Sequence, residues 1–327
     1  AKQERIHAEN VIGTANTRYS GEQIITTDSV APGEYRLRET ARGAGADIVT
    51  LNLLRNDQDE TDLAVDFVDD DNYWSNFNLR QDEVATDAHW GAEQTYDLML
   101  EHFGRNSIDD QGHELRSYVH LRRNLSNAFW TGEAMMYGDG GGNAGPFISI
   151  DIVGHEIAHG LTNYSAGLIY LDESGALNES FSDIFGVAVK FYSGAPNFNW
   201  KIGDQIYNDT SGLRSMRSPK LRNHPDTYFG QFWFQGDGDN GGVHINSGVQ
   251  NFWFYLLTEG GQGVNDRGYA FDVQGIGMDK AMQISYRNLT VYLTESSNYA
   301  DAREGAIQAA IDLYGDCSPE VASVTDA

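Results

Sequence analysis

The run His155-Glu156-Ile157-Ala158-His159 is followed, after nineteen intervening residues, by Glu179 within Asn178-Glu179-Ser180-Phe181-Ser182-Asp183. Residues four apart on an α-helix share a face, about 5 to 6 Å apart at Cβ, so His155 and His159 offer two nitrogen ligands to one tetrahedral ion. Glu156 follows His155 directly, close enough to reach a water held by that ion, and is the candidate general base. The segment Leu177 to Phe185 carries apolar residues at helical intervals, which puts Glu179 and Asp183 on one face of a second helix. Glu179 is the candidate third ligand. Asp183 is placed to accept the free N–H of one of the two histidines, and the spacing does not say which. Two histidines and one carboxylate leave a position open for water, the pattern of a catalytic zinc, whose bound water has its pKa lowered toward ~7.

Around this motif the chain divides near residue 150. Before it, β-rich runs at Tyr35 to Leu37, Asp47 to Leu54, Leu63 to Val68, Leu115 to Leu121 and Ala128 to Tyr137 are separated by glycine, asparagine and aspartate, with one helix from Val84 to Phe103. After it, helical periodicity dominates near 151–164, 174–193, 247–259, 275–293 and 299–313. The expected architecture is α+β in two domains: a β-rich N-terminal domain over 1–150 and a mainly helical C-terminal domain over 151–327, with the motif helix at their junction.

Twenty-two basic against 48 acidic residues give a net charge of −26, which repels nucleic acid and anionic membrane surfaces and argues against both as partners. A single cysteine, Cys317, excludes an intrachain disulfide without deciding the compartment. No charged-then-apolar leader opens the chain, no apolar run reaches 18 residues, and no GxSxG elbow of a serine hydrolase occurs.

Further segments extend the pattern over most of the chain: Asn127-Ala128-Phe129-Trp130, Tyr137-Gly138-Asp139-Gly140, Gly167-Leu168-Ile169-Tyr170, Leu213-Arg214-Ser215-Met216 and Asp239-Asn240-Gly241-Gly242-Val243-His244. In this order, and with the HExxH and distal glutamate, the sequence resembles the thermolysin family of secreted neutral zinc metalloendopeptidases. The resemblance implies that His155, His159 and Glu179 hold one catalytic zinc and that Glu156 activates the water. It implies that Tyr170 and His244 stabilise the oxyanion, that Asp239 orients His244, and that Arg214 holds a substrate carbonyl. Asn127, Ala128 and Trp130 would lie on an edge strand that pairs with an extended peptide. Ile152, Ile202, Ile206 and Leu213 would line a pocket favouring large apolar residues after the scissile bond. It also implies protein and peptide substrates, secretion to the cell exterior as a monomer, a signal and an inhibitory propeptide ahead of Ala1, and a terminus a few residues beyond Ala327.

Calcium is where the sequence departs from the family. Asp151 and Asp204 match positions of a family calcium site, but Lys190, Asn199 and Lys201 stand where acids belong, and an ammonium repels the ion. The expectation is that Lys190, Lys201 or both pair with Asp151 in its place. The acidic run Asp69-Asp70-Asp71-Asn72 is a separate calcium candidate. Two other readings remain open at this stage: an aminopeptidase on the same zinc geometry, which needs an acidic anchor for a free α-amino group, and a non-catalytic binding protein, against which the intact Glu156 stands.

Overall fold

The computed structural model describes residues 8–56, 60–75, 82–195 and 198–327, and the chain folds into two compact units. Unit 1 comprises residues 1–157, 192–196 and 205–210; unit 2 comprises 158–191, 197–204 and 211–327. The division falls between Ile157 and Ala158, inside the helix that carries the HExxH motif.

Among the described residues, unit 1 holds two sheets. Its strands are β1 (Glu9–Asn16), β2 (Glu22–Ala31), β3 (Glu34–Arg36), β4 (Arg38–Arg42), β5 (Ala46–Asn52), β6 (Val65–Asp66), β7 (Val68–Asp69), β8 (Tyr73–Trp74), β9 (Leu115–Leu121), β10 (Ala128–Trp130) and β11 (Met135–Gly138). One sheet runs β7-β3-β2-β1-β8; the other runs β10-β11-β9-β5-β4, with β6 paired to β5. β9 lies parallel to both β5 and β11, and such a central strand is covered on both faces, which accounts for its nearly continuous burial. β10 pairs only with β11 and forms the sheet edge.

Two strand expectations change. Ala128 to Tyr137 is a hairpin, because Thr131 N and Oγ1 both donate to Ala134 O and close a turn between β10 and β11. Leu63 to Val68 is the end of a short 3-10 turn followed by two two-residue strands. The two longest strands, β1 and β2, pair from Glu9↔Ser29 to Asn16↔Glu22 but escape the sequence reading, since threonine, asparagine and glycine interrupt their apolar alternation.

Helix α1 (Asp82–Phe103) packs on β5, β9 and β2. Asp82 and Glu83 at its N-terminus and His102 in its last turn complement the helix dipole. A Cβ at Gly91 would sit 2.9 Å from Val153 Cγ1, so the glycine lets α1 approach helix α2 (Ile150–Asn163). The inner face of α1 is polar and paired to the sheet: His89 Nε2 donates to Thr26 O at 2.9 Å, while its Nδ1 accepts from Thr50 Oγ1 at 3.0 Å. Asp87 accepts from Tyr19 N and Ser20 Oγ. Burial pushes His89 down to about 4 and Asp87 up to about 7, so both favour their neutral forms.

Unit 2 is built from α3 (Asp172–Tyr192), α4 (Asp239–Asn246), α5 (Gly248–Glu259), α6 (Met278–Arg287), α7 (Tyr299–Tyr314) and α8 (Pro319–Asp326), with the hairpins β12 (Lys201–Ile202) with β13 (Arg214–Ser215) and β14 (Gly261–Val264) with β15 (Ala270–Val273). α3 is buried without a break from Gly175 to Lys190, the mark of a central helix. α7 starts on a capping box in which Asn298 and Asp301 exchange backbone hydrogen bonds, and Ser318 caps α8 ahead of Pro319. The strand-rich first half and helical second half agree with the expected α+β class.

Candidate metal centre

His155 and His159 are one turn apart on α2, and Glu179 stands on the buried face of α3; one ligand atom from each lies within 4.8 Å of the others. His159 Nε2 is 3.4 Å from Glu179 Oε1. That is the edge length of a tetrahedron whose corners lie about 2.1 Å from a common centre, the bond length of zinc to imidazole nitrogen and carboxylate oxygen. A donor set of two imidazoles and one carboxylate fits zinc with a coordination position left over.

The His159 ring is turned by neighbours that the sequence reading missed. Its Nδ1 donates to Asn178 Oδ1 at 2.7 Å, Ser182 Oγ lies 3.1 Å away, and Asn178 Nδ2 is itself held by Leu168 O. Asn178 and Ser182 are an i,i+4 pair of small polar residues on α3, a spacing present in the sequence. A ligand histidine is normally oriented by an acceptor of this kind.

Asp183 is paired with an arginine of β13. Its two oxygens accept from Arg214 Nε at 2.6 Å and Nη2 at 2.7 Å, and Asn251 Nδ2 adds a third bond at 2.7 Å. Arg214 Nη2 is also 3.8 Å from Glu179 Oε2. Burial works against the Arg214 charge, but Asp183 and Glu179 outweigh it and hold the guanidinium above its ordinary pKa.

Tyr170 and His244 complete the polar wall. The Tyr170 hydroxyl donates to Glu179 Oε1, and His244 Nε2 lies 3.2 Å from that hydroxyl and 3.5 Å from the same carboxylate oxygen. His244 Nδ1 donates to Asp239 Oδ1 at 2.6 Å, and its backbone N–H donates to Asp239 Oδ2. The sharp approach comes from a left-handed turn, Asp239 to Gly242, with all four φ values positive. A Cβ at Gly241 would stand 2.1 Å from Asp172 Oδ1, so glycine is required there. His244 and Tyr170 are about half and two-fifths exposed, whereas Glu179 is buried, so the wall faces water over a buried ligand.

In unit 1, Glu156 is buried beside Tyr137, whose hydroxyl is pushed well above its ordinary pKa by burial and by the Glu156 charge. Ala128 and Trp130 lie on the edge strand β10; Asn127 falls one residue before it, its carbonyl taken by Gly138 N. Ile152 and Ile206 are buried in unit 1, and Ile202 is buried and Leu213 half-buried in unit 2, where Leu213 N donates to Ile202 O. Lys190 Nζ donates to Asp204 Oδ1 at 2.6 Å and to Lys201 O at 3.1 Å, while Asn199 Nδ2 holds the other Asp204 oxygen. Asp151 accepts from Ser149 Oγ and Ile152 N. The carboxylates of Asp69, Asp70 and Asp71 also converge within 4.8 Å.

The sequence model of the thermolysin metallopeptidase catalytic domain matches residues 12–163, and that of its α-helical domain matches residues 166–327. The precursor of protealysin, a metalloproteinase from Serratia proteamaculans, superposes with a TM-score of 0.71 at 30% identity, covering 88% of this chain and 87% of that one. The chain belongs to the thermolysin family. Thermolysin from Alicyclobacillus acidocaldarius is 44% identical over 93% of the chain, and bacillolysin from Bacillus cereus is 42% identical over 96%. In both cases the match takes in 54% of the relative, so the chain spans about half the length of these thermolysin-family proteins. No described helix of this thermolysin-family chain is long and apolar enough to cross a membrane.

Proposed function

We propose that the chain is a zinc-dependent endopeptidase that hydrolyses internal peptide bonds of proteins. The observation that carries this reading is the convergence on one carboxylate oxygen: Glu179 Oε1 meets His159 Nε2, His244 Nε2 and the Tyr170 hydroxyl within a single coordination-sized space. Zinc held by His155, His159 and Glu179 supplies a Lewis acid for the scissile carbonyl and lowers the pKa of water toward ~7.

The protein groups divide the remaining work. Glu156 takes the proton of the attacking water and hands it to the leaving amine. The Tyr170 hydroxyl and His244 Nε2 donate to the oxygen that becomes negative, and Asp239 fixes the tautomer and angle of His244 from behind. Two of the Arg214 nitrogens are spent on Asp183, which leaves Nη1 as the group for a substrate carbonyl. Edge strand β10, with Asn127 just ahead of it, pairs main chain to main chain with an extended peptide, and Trp130 flanks it. Ile152, Ile202, Ile206 and Leu213 select large apolar residues after the cut; a peptide library cleaved before charged residues would sink that assignment.

A fixed ammonium stands in for calcium in the helical unit, where Lys190 holds Asp204. The enzyme acts outside the cell as a monomer, after release from its own propeptide; the precursor form of the protealysin relative supports the last point. The deciding assay is cleavage of casein and of a peptide blocked at both ends. Activity that vanishes with a zinc chelator, returns with zinc and is absent in Glu156→Gln supports the reading. A chain that cleaves only peptides with a free α-amino group is an aminopeptidase instead.

A further inference from the structure

His120 is the one residue of β9 with a left-handed backbone, φ 61°, and its side chain is buried. The register explains the conformation. Met136 pairs with Tyr118 and Gly138 with Leu121, so Val119 and His120 together stand opposite Tyr137, and β9 carries a bulge there. Bulges bend a strand and re-aim a side chain, and histidine tolerates the left-handed region better than most residues.

Here the re-aimed ring meets Asp139, the first residue after β11. His120 Nδ1 donates to Asp139 Oδ1 at 2.6 Å, and Arg55 Nε donates to Asp139 Oδ2 at 2.6 Å. Arg55 is in turn tied to the bulge, because its backbone N–H donates to His120 O at 2.9 Å. The other ring nitrogen, Nε2, is buried with no hydrogen-bond partner among the described residues, so Asp139 is the polar anchor of this imidazole. His120 and Arg55 outweigh burial and hold the Asp139 carboxyl below its ordinary range, which keeps the anchor charged.

Asp139 stands between the two backbone groups that seat the edge strand. Gly138 N donates to Asn127 O and Gly140 N to Leu125 O, both at 2.9 Å, and β10 starts at the next residue, Ala128. A shift of Asp139 therefore moves Gly138 and Gly140, and with them the entry of β10.

We propose that His120, braced with Arg55 on Asp139, is a positioning residue that sets the register of edge strand β10 for pairing with an extended substrate. This rests on the endopeptidase reading. It separates two parts of the reaction: a latch on β10 governs how a long peptide is held, while the metal-centre residues govern the bond that is cut.

The test compares two doubly blocked peptides, one with only the residues flanking the cut and one extended by three residues on each side. His120→Gly suits the positive φ and removes the ring; His120→Asn tolerates the same backbone and offers an amide N–H to Asp139. Arg55→Gln, at a partly exposed site, tests the brace without touching the core. For the long peptide, His120→Gly should raise KM about tenfold and Arg55→Gln about threefold, with kcat within twofold of wild type. The short peptide should show no change in KM, and His120→Asn should keep the wild-type KM on both. The proposal is overturned if the long-to-short ratio of KM is unchanged in both His120→Gly and Arg55→Gln, or if His120→Asn is as impaired as His120→Gly. Wild-type protein that cleaves neither peptide overturns the endopeptidase reading, and this role with it.

Discussion

Arg214 and Asp183 form a two-point ion pair, 2.6 and 2.7 Å, between β13 and α3, in which the carboxylate is fully buried and the guanidinium nearly so. Taking both charges out of water is costly, and the paired geometry offsets that cost only while both partners remain. Arg214→Met should therefore lower unfolding stability by about 3 kcal/mol or more, because the buried Asp183 charge loses its guanidinium. Urea denaturation measures it; a loss under about 1 kcal/mol would mean that Asn251 and water suffice for Asp183.

Glu156 adjoins a ligand but is not one of the three convergent donors. Glu156→Gln is expected to retain one zinc per chain while peptide cleavage falls about 10²- to 10⁴-fold, the usual contribution of a general base. Metal analysis beside the rate separates the roles, and loss of zinc in this variant would make Glu156 part of the binding site instead.

Tyr170 and His244 both reach Glu179 Oε1 from the water-facing side. If they stabilise developing charge, Tyr170→Phe and His244→Phe should each cut kcat about 10²- to 10³-fold with KM nearly constant. A rise in KM at unchanged kcat would reassign them to ground-state binding.

The buried polar face of α1 predicts stability at two pH limits. His89 has its pKa lowered from 6.5 to about 4, so the unfolded chain takes up a proton that the folded one refuses. Its contribution is present above pH 6.5 and is lost as pH falls through the window to 4, on the order of 3 kcal/mol. Asp87 is the opposite case: raised from 3.8 to about 7, it contributes below pH 3.8 and loses that contribution as pH rises through 7. In thermal melts across pH 4 to 8, His89→Gln should flatten the acid limb and Asp87→Asn the neutral limb. Unchanged slopes in both variants would show that other groups dominate.

Lys190 donates to Asp204 inside the helical unit, where a divalent ion would otherwise need six or more oxygens. Calcium in the millimolar range should leave the melting temperature of the wild-type chain unchanged, whereas Lys190→Glu should make it calcium-dependent. Tight calcium binding by wild type that disappears in Asp151→Ala would refute the substitution of ammonium for metal.

Several of these residues were legible from spacing alone. The i,i+4 separation of His155 and His159 and the helical period around Glu179 are local properties, so the two helices and their ligand faces follow from the chain without knowledge of its folding. Strands were less legible. β1 and β2 are held by pairing with each other, and the turn at Thr131 to Ala134 is made by one threonine, so neither shows as a simple period of two. The partners of Asp183, Lys190 and His120 lie 31, 14 and 19 residues away, and no periodicity encodes such pairs.

By itself, then, the sequence determined the ligand chemistry, the helices that present it, the α+β division and the strongly acidic surface, because residue type and helical repeat act over a few neighbours. Only the tertiary structure decided that Asn178 holds His159, that Arg214 pairs with Asp183, that Lys190 donates to Asp204 and that His120 is anchored on Asp139. Burial makes an unpaired polar group costly, so each of these side chains is settled by whichever complementary group the fold brings within about 3 Å, however distant it is along the chain.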